Sequence, residues 1–363
     1  MGLCTNCGAC VNLCPYLEVY KDQTIIMDQC EKEEGRCYAF CPRTPTDLES
    51  LHRKFFDPDE LTAELGAVKG FYMTRASDEQ IRNLAQHGGT VTALITLALQ
   101  EGIIDTAILS ENRGAFLPEG IAVKNHSEVA KRAKSKFVVS PVIAKFNEAA
   151  KGDAEKIGMV VTPCQALALA KMRLKPFPSK DNHIYKLRLV VGLFCGWALS
   201  WRGLKGMLEQ KIGNNSVSRL DIPPSKYHSM EVHTMDKNIE ISLDEVLPLI
   251  RKSCKYCFDM TAEFTDISVG SARCPEGWDV ARGWNQVITR TEIGEELIHL
   301  ARTRGLLEFR DIPEGNLEKL KKASANKKRL ALKNLTEKSG NLEDFLYLDC
   351  NDPVLNSFRP KST

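Results

Sequence analysis

No charge of one sign dominates this sequence: 49 basic side chains face 47 acidic ones, for a formal net charge of +2. A surface so balanced sets up no general field for nucleic acid or for an anionic membrane, which argues against both as partners. No apolar run approaches the roughly 20 residues that would span a bilayer. The opening MGLCTNCGAC lacks the basic start and apolar middle of a secretory signal, so the expected location is cytoplasmic. No G-x-G-x-x-G follows the first predicted strand, and the usual dinucleotide fingerprint is missing. What is left is a chain of 363 residues, 43% hydrophobic and 26% charged. That is ordinary for a globular protein and long enough for two or three domains.

Cysteine breaks this pattern. There are 13, seven of them within the first 41 residues. Disulfide scaffolds use cysteine this densely, but they are short and secreted. A long chain with an odd count and no signal points to reduced thiolates on metal. Cys4, Cys7, Cys10 and Cys14 follow C-x2-C-x2-C-x3-C, with Pro15 next. Two-residue gaps let one tight loop wrap three thiolates around a cubane, while the fourth serves the other cluster in two-cluster ferredoxins. Gly8 falls where the backbone must pass close to inorganic sulfide. A zinc site would want paired C-x2-C knuckles and has no use for the trailing Cys-Pro.

Residues 1–45 thus read as a bacterial-type ferredoxin module for two [4Fe-4S] clusters. Its second half is irregular. Cys37 and Cys41-Pro42 repeat the C-x3-C-P ending, but Cys30 and Glu34 stand where a regular motif has cysteines at positions 31 and 34. By the crossed-ligand rule, Cys4, Cys7, Cys10 and Cys41 hold one cluster; Cys14, Cys30 and Cys37 hold the other, one thiolate short. A non-cysteine fourth ligand, a three-iron cluster or a ligand from elsewhere in the chain would each account for this. The alternative is a single cluster with three idle cysteines.

Residues 46–69 read as a linker. PRTPTD breaks structure, and DPDELTAELG predicts a short helix with an acidic N-terminus. Beyond it, FYMT (71–74), TAIL (106–109), MVVTP (159–163) and LRLVVGLF (187–194) predict strands, with IRNLA, VTALITLALQEG and VAKRAKSKF as helices between them. The fold class is α/β, a mixed sheet with flanking helices, preceded by a small α+β ferredoxin-like domain. His87-Gly88-Gly89-Thr90 opens a helical run. Two glycines there expose backbone N–H groups to a flavin edge or a phosphate; a plain turn capped by Thr90 is the alternative.

Cys164 follows one strand in VVTPCQ, Cys195 another in GLFCGW, and Cys254 and Cys257 form a knuckle in KSCKYCFD. These four could converge on a four-thiolate cluster site; by spacing, zinc or plain structural cysteines fit as well. Residues 311–363 carry LEKLKKASANKKRLALKNL, a basic helix former that reads as a solvated face or a docking element. The closing stretch, ending NSFRPKST, reads as a tail ordered against a partner. Cys274 and Cys350 read as ordinary thiols.

The ordered set QHGGTVTALITLALQEGIIDTAIL, KSKFVVSPV, VVTPCQALAL, GLFCGWALS, CKYCFDMTAEFTDISVG and VITRTEIG resembles the beta subunit of coenzyme F420-reducing hydrogenase and F420-dependent formate dehydrogenase, over residues 70–310. The resemblance implies FAD beside the glycine-rich loop, a [4Fe-4S] cluster on Cys164, Cys195, Cys254 and Cys257, and electron transfer between clusters and FAD. Many members then exchange a hydride with coenzyme F420. The implied flavin contacts are Gly88, Gly89, Thr90 and Thr92, then Lys136, Ser140 and Pro141, where Phe137 replaces the tyrosine of SKY-x2-SP. Thr162 and Gln165 flank Cys164, and Asp266 and Gly270 belong to DISVG. Lys136 would bring positive charge near a flavin phosphate or the reduced ring.

The chain departs from archaeal catalytic subunits at His87, where they often carry cysteine, and in the stretch after the knuckle. Members dock on hydrogenase, formate dehydrogenase or heterodisulfide-reductase-like partners, and ferredoxin is a further candidate donor. The resemblance therefore implies an FAD-dependent oxidoreductase subunit. The rival is a multi-cluster relay with no reaction of its own.

Overall fold

The computed structural model of the chain describes residues 2–32, 35–114, 116–174, 182–213 and 215–360. Its central feature is an eight-stranded mixed sheet. The order across it is Leu307–Arg310, Gly70–Ala76, Asn285–Thr289, Ile267–Ser271, Leu187–Leu193, Ile157–Val161, Thr106–Asn112 and Pro118–Val123. The four strands from Ile267–Ser271 to Thr106–Asn112 run parallel, and the outer pairs are antiparallel. Parallel strands are covered on both faces, which is why LRLVVGL and IGMVV are nearly continuous apolar runs. Helices Thr90–Gln100 and Glu292–Thr303 pack one face; Val142–Ala149 and Pro163–Leu174 pack the other. A three-stranded antiparallel sheet, Val217–Asp221, Ser229–Thr234 and Asn238–Ser242, forms a side lobe with helix Trp201–Ile212.

The N-terminal cysteine segment is not a separate ball. Cys7, Ala9, Leu13 and Phe40 belong to the same buried cluster as Val142, Phe146, Met159 and Val190. All four expected strand stretches form strands, with MVVTP ending its strand at Val161 because Pro163 opens the next helix. IRNLA and VTALITLALQEG fall in helices Glu79–Leu84 and Thr90–Gln100.

Four local expectations are corrected. The helix expected in DPDELTAELG lies earlier, at Leu48–Phe55, because the Asp47 side chain accepts the Ser50 N–H at 2.8 Å and caps it. DPDELTAELG itself is one 3-10 turn, Pro58–Glu60, followed by Leu61–Thr62 paired with Gly66–Ala67. VAKRAKSKF makes only the 3-10 turn Ala130–Arg132; positive φ at Lys134 (75°) and Phe137 (58°) ends any helix there.

The basic C-terminal stretch does form a helix, Asn316–Ser339, but it is more than a solvated face. Leu320, Ala331, Leu332 and Leu335 are buried, and Lys328 is sealed against Glu263 at 2.5 Å. The closing stretch is ordered by its own chain: Phe345, Tyr347, Leu348, Leu355 and Phe358 join the core that holds Cys7 and Phe40. Asp352 there accepts the Leu48 and Glu49 N–H groups at 2.7 and 3.2 Å, fixing the start of the linker helix.

Candidate cluster and flavin site

Cys4, Cys7 and Cys10 share one loop that turns through Asn6 and Gly8, at φ 57° and 87°. The loop is pinned to helix Val142–Ala149. Asn147 donates to the Val11 carbonyl at 2.7 Å, Asn12 to the Ala144 carbonyl at 2.9 Å, and the Ile143 N–H to the Cys7 carbonyl at 3.4 Å. A Cβ on Gly8 would sit 2.6 Å from the Ala144 nitrogen and 2.8 Å from the Pro141 oxygen. The glycine is therefore required by this docking contact, whatever it also allows toward sulfide. Cys41 arrives from the other side, its carbonyl held by Lys171 Nζ at 2.7 Å.

Burial, followed by the charges of neighbouring thiols, pushes Cys10 up to about 12 and Cys7 well above the usual thiol range. Burial raises Cys41 too, against the Lys171 and Arg43 charges. Such thiols stay protonated until metal takes them. The Asn6 N–H points at Cys4 Sγ from 3.4 Å, the kind of donor that a bound thiolate accepts.

The second set grows from the sheet. Strands Ile157–Val161 and Leu187–Leu193 are parallel neighbours and finish at the same edge. Cys164 therefore enters in the first turn of helix Pro163–Leu174, and Cys195 two residues past its strand. The 3-10 turn Lys252–Tyr256 brings Cys254 and, at its end, Cys257. Burial, with the Cys257 charge adding to it, raises Cys164 to about 11; burial raises Cys195 against the Lys327 charge, and Cys254 against the Ala198 N–H. Ala198 N–H points at Cys254 Sγ (3.3 Å), and the Thr162 hydroxyl lies 3.4 Å from Cys164 Sγ.

Among the described residues no three cysteine, histidine or acidic side chains converge closely enough to hold a single metal ion. Zinc would draw its thiolates to about 2.3 Å; a cubane presents its irons on a larger body and takes a wider set. The donor type, the burial and the N–H groups aimed at sulfur fit a cluster in each set. Lys171 lies on the helix that holds Cys164 and donates to the Cys41 carbonyl, so the two sets are neighbours.

The remaining three cysteines are less closely drawn. Cys37 lies near Cys10, Cys14 forms a backbone bridge with Val11, and Cys30 is exposed. Glu34 lies outside the described residues. Cys274 and Cys350 are half-buried free thiols.

Among the flavin candidates, Gly89 caps helix Thr90–Gln100 at φ 83°. Thr90 is buried inside the first turn, its hydroxyl 2.8 Å from that of Thr74, so it does not cap the helix. Asn285, which sequence reasoning missed, accepts the Thr90 N–H at 3.2 Å and donates to the Gly270 carbonyl at 3.2 Å. It thereby joins Gly88, Gly89, Thr90 and Gly270 at one place. A Cβ on Gly88 would meet Asn285 Oδ1 at 2.9 Å. Thr92 is buried on the same helix.

Ser140 is buried with an unpartnered hydroxyl, an orphan donor that suits a polar ligand. Pro141 follows it and leads into the helix that carries the ferredoxin loop. Lys136 donates to the Ala133 carbonyl at 2.9 Å, and burial lowers its pKa, so it is no solvated surface lysine. Gln165 is already held, bonded to Thr162 and to the Ser140 carbonyl at 2.5 Å. Asp266 spends both oxygens on Val190 N–H and the Thr291 hydroxyl, at 2.7 and 2.8 Å.

Gln86 and His87 brace the glycine turn against the side lobe. Gln86 donates to the Leu220 carbonyl at 2.8 Å, and His87 Nε2 lies 3.4 Å from Asp221 Oδ1. Burial alone would raise the Asp221 pKa, but His87 and Arg219 outweigh it and bring it to about 2. A surface cleft lined by Lys255, Tyr256, Asn334, Glu337 and Lys338 includes none of the flavin candidates.

A mixed α/β sheet thus carries Cys164 and Cys195 just past two strand ends, beside the Cys254–Cys257 turn and a docked second cysteine set. Its likeness to known proteins places it in a class of oxidoreductase subunits. Residues 71–146 match the model of the coenzyme F420 hydrogenase/dehydrogenase beta subunit N-terminal region, and residues 154–315 that of its C-terminal region. The coenzyme F420 hydrogenase subunit beta of Methanothermobacter thermautotrophicus is 33% identical over 277 residues, covering 75% of this chain and 95% of that protein. The chain belongs to the coenzyme F420 hydrogenase/dehydrogenase beta-subunit family.

A coenzyme F420-dependent sulfite reductase of Methanocaldococcus jannaschii is 28% identical over 339 residues, 88% of this chain but 50% of that protein's length. A solved chain of the F420-reducing [NiFe] hydrogenase complex from Methanosarcina barkeri superposes with a TM-score of 0.70 at 26% identity, covering 82% of this chain and 99% of that one. Among the described residues no helix is long and apolar enough to cross a membrane.

Proposed function

We propose that this chain is the electron-transferring subunit of an anaerobic redox complex, passing electrons between [4Fe-4S] clusters and FAD, and a hydride to or from coenzyme F420 or a similar carrier. The observation that carries this reading is the packing of the first cysteine segment on the two helices next to the second set. Asn147 donates to the Val11 carbonyl and Lys171, from the helix that holds Cys164, to the Cys41 carbonyl, both at 2.7 Å. When bound, clusters supply one-electron steps and a flavin links them to two-electron chemistry.

Cys4, Cys7, Cys10 and Cys41 would hold one cluster, Cys164, Cys195, Cys254 and Cys257 a second, and Cys14, Cys30 and Cys37 a third, irregular one. The chain's own task is placement. Asn147, Asn12 and Lys171 fix the first set against the helices that follow Pro141 and Cys164. The Gly88–Gly89 turn, held by Asn285 and braced by Gln86, would flank the flavin. The segment with Lys136, Ser140 and Pro141 runs from Gln86, which accepts the Ser135 N–H at 3.2 Å, to Gly8 of the first cysteine loop. Thr92, Thr162, Gln165, Asp266 and Gly270 would be the remaining flavin contacts. Partners of the hydrogenase, formate dehydrogenase or heterodisulfide-reductase-like kind, or a ferredoxin, would supply or take the electrons, with the chain cytoplasmic.

Anaerobic quantification of iron, acid-labile sulfide and flavin per chain tests this. About twelve irons with one FAD is the expected result, and reduction of F420 by the complex should then be measurable. About eight irons without flavin would leave a relay with no hydride chemistry of its own.

A further inference from the structure

Arg43 lies two residues beyond Cys41 and is 8% exposed. Its guanidinium meets neutral acceptors: it donates to the Tyr347 hydroxyl and to the Ser253 carbonyl (3.2 Å), and lies 4.5 Å from the centre of the Tyr347 ring. Its Nε is buried with no acceptor, and no carboxylate pairs with it among the described residues. A buried cation without a counter-ion is strongly unfavourable. Nearby Lys328 shows the usual solution, a carboxylate from Glu263 at 2.5 Å.

The groups that hold Arg43 adjoin cysteines that would become thiolates on binding a cluster. Ser253 adjoins Cys254, and the Tyr347 hydroxyl donates at 2.7 Å to the carbonyl of Tyr256, which adjoins Cys257.

We propose that Arg43 is a shared counter-charge for the two four-cysteine sites, held between them by Tyr347, so that an electron entering either site is stabilised by one guanidinium. This rests on reading Cys4, Cys7, Cys10 and Cys41, and the Cys164 set, as cluster sites. Guanidinium suits the task because it stays charged and offers a planar fork of donors. Arg43 and Tyr347 both lie outside residues 71–146 and 154–315, the parts matched by the family models. The device thus belongs to the segments at both ends of this chain, and it gives the buried C-terminal segment a role in the redox site.

The test is an EPR-monitored redox titration of the anaerobically purified full chain and of Arg43→Gln, Arg43→Lys and Tyr347→Phe, with iron and sulfide measured on each. Arg43→Gln is expected to keep its iron and to show more negative midpoint potentials at both sites. Arg43→Lys should fall between it and the wild type, and Tyr347→Phe should shift in the same direction by less. Iron retained with both potentials unmoved in Arg43→Gln overturns the proposal. Should Arg43→Gln fail to load, loading in Arg43→Lys supports a need for charge, and equal failure there overturns it. A Cys257→Ser variant separates the levels: if it keeps all the wild-type iron, the cluster reading of that site fails, independently of Arg43.

Discussion

At the scale of single residues, Gly8 decides how the first cysteine loop seats. Gly8 combines a left-handed backbone, φ 87°, with backbone atoms of Pro141 and Ala144 inside 3 Å of where a Cβ would go. Gly102 shares the left-handed conformation, φ 66°, with nothing within 4 Å. Gly102→Ala should therefore cost only backbone strain, about 1–2 kcal/mol. Gly8→Ala should cost that plus overpacking of about 1–3 kcal/mol. Denaturant unfolding of both variants checks this; equal losses would mean that the ferredoxin loop is not held against Pro141.

Asp221 gives a pH signature. Its pKa is depressed to about 2, so its contribution is fully present above the unfolded value near 4 and is lost as pH falls from about 4 toward 2. The Asp221→Asn variant should be less stable by roughly 2 kcal/mol at neutral pH and should show a flatter loss below pH 4. Unfolding midpoints compared at pH 7 and pH 3 give the answer.

At the scale of elements, the apolar runs were legible because parallel strands need both faces apolar, and the glycine turn because a helix start at φ 83° needs glycine. Spacing pointed to the first cysteine set as cluster ligands, but for Cys164, Cys195, Cys254 and Cys257 it left zinc and plain structural cysteines open, and only the resemblance implied a cluster. Other features were hidden. VAKRAKSKF has good helix formers, and only tertiary contacts put Lys134 and Phe137 at positive φ. The closing stretch is sparse in apolar residues, yet Phe345, Tyr347 and Phe358 reach the core one at a time from irregular backbone, with no period to betray them. Asn285 and Arg43 act through contacts 195 and 210 residues away in sequence, which no local pattern reports.

The helix Asn316–Ser339 carries its own test. Lys328 and Glu263 are both fully buried and joined at 2.5 Å. Lys328→Met leaves a buried carboxylate without its partner and should cost about 3–5 kcal/mol. Adding Glu263→Leu should recover much of that loss, since an apolar pair of similar volume avoids the desolvation penalty. A double-mutant cycle by thermal unfolding measures it; strict additivity would show that the pair is not coupled.

At the scale of the whole molecule, the question is whether the N-terminal cysteine set is a tethered carrier or a fixed part of the wire. Composition favours a tether, because PRTPTD looks like a flexible joint. The packing argues the other way. Lys171, from the helix that Cys164 begins, reaches the carbonyls of Cys41, Thr44 and Pro45 at 2.7–3.1 Å. Leu13 and Phe40 share a core with Met159 and Val190 of the main sheet. A segment held on both sides in this way should not swing, and the distance between the two cysteine sets should be constant.

If so, the half-reduced and fully reduced protein should differ by more than added intensity. Two paramagnetic sites at a fixed short separation split and broaden each other's EPR lines and relax together. The expected result is an interaction spectrum on full reduction that disappears in Cys257→Ser, while the N-terminal signal narrows. Hydrogen exchange should agree, with residues 4–14 protected to the same degree as the Val142–Ala149 helix on which they sit. Independent spectra from the two sites, with a freely exchanging N-terminal loop, would make the ferredoxin segment a side branch. The electrons would then have to enter at the Cys164 set directly from a partner.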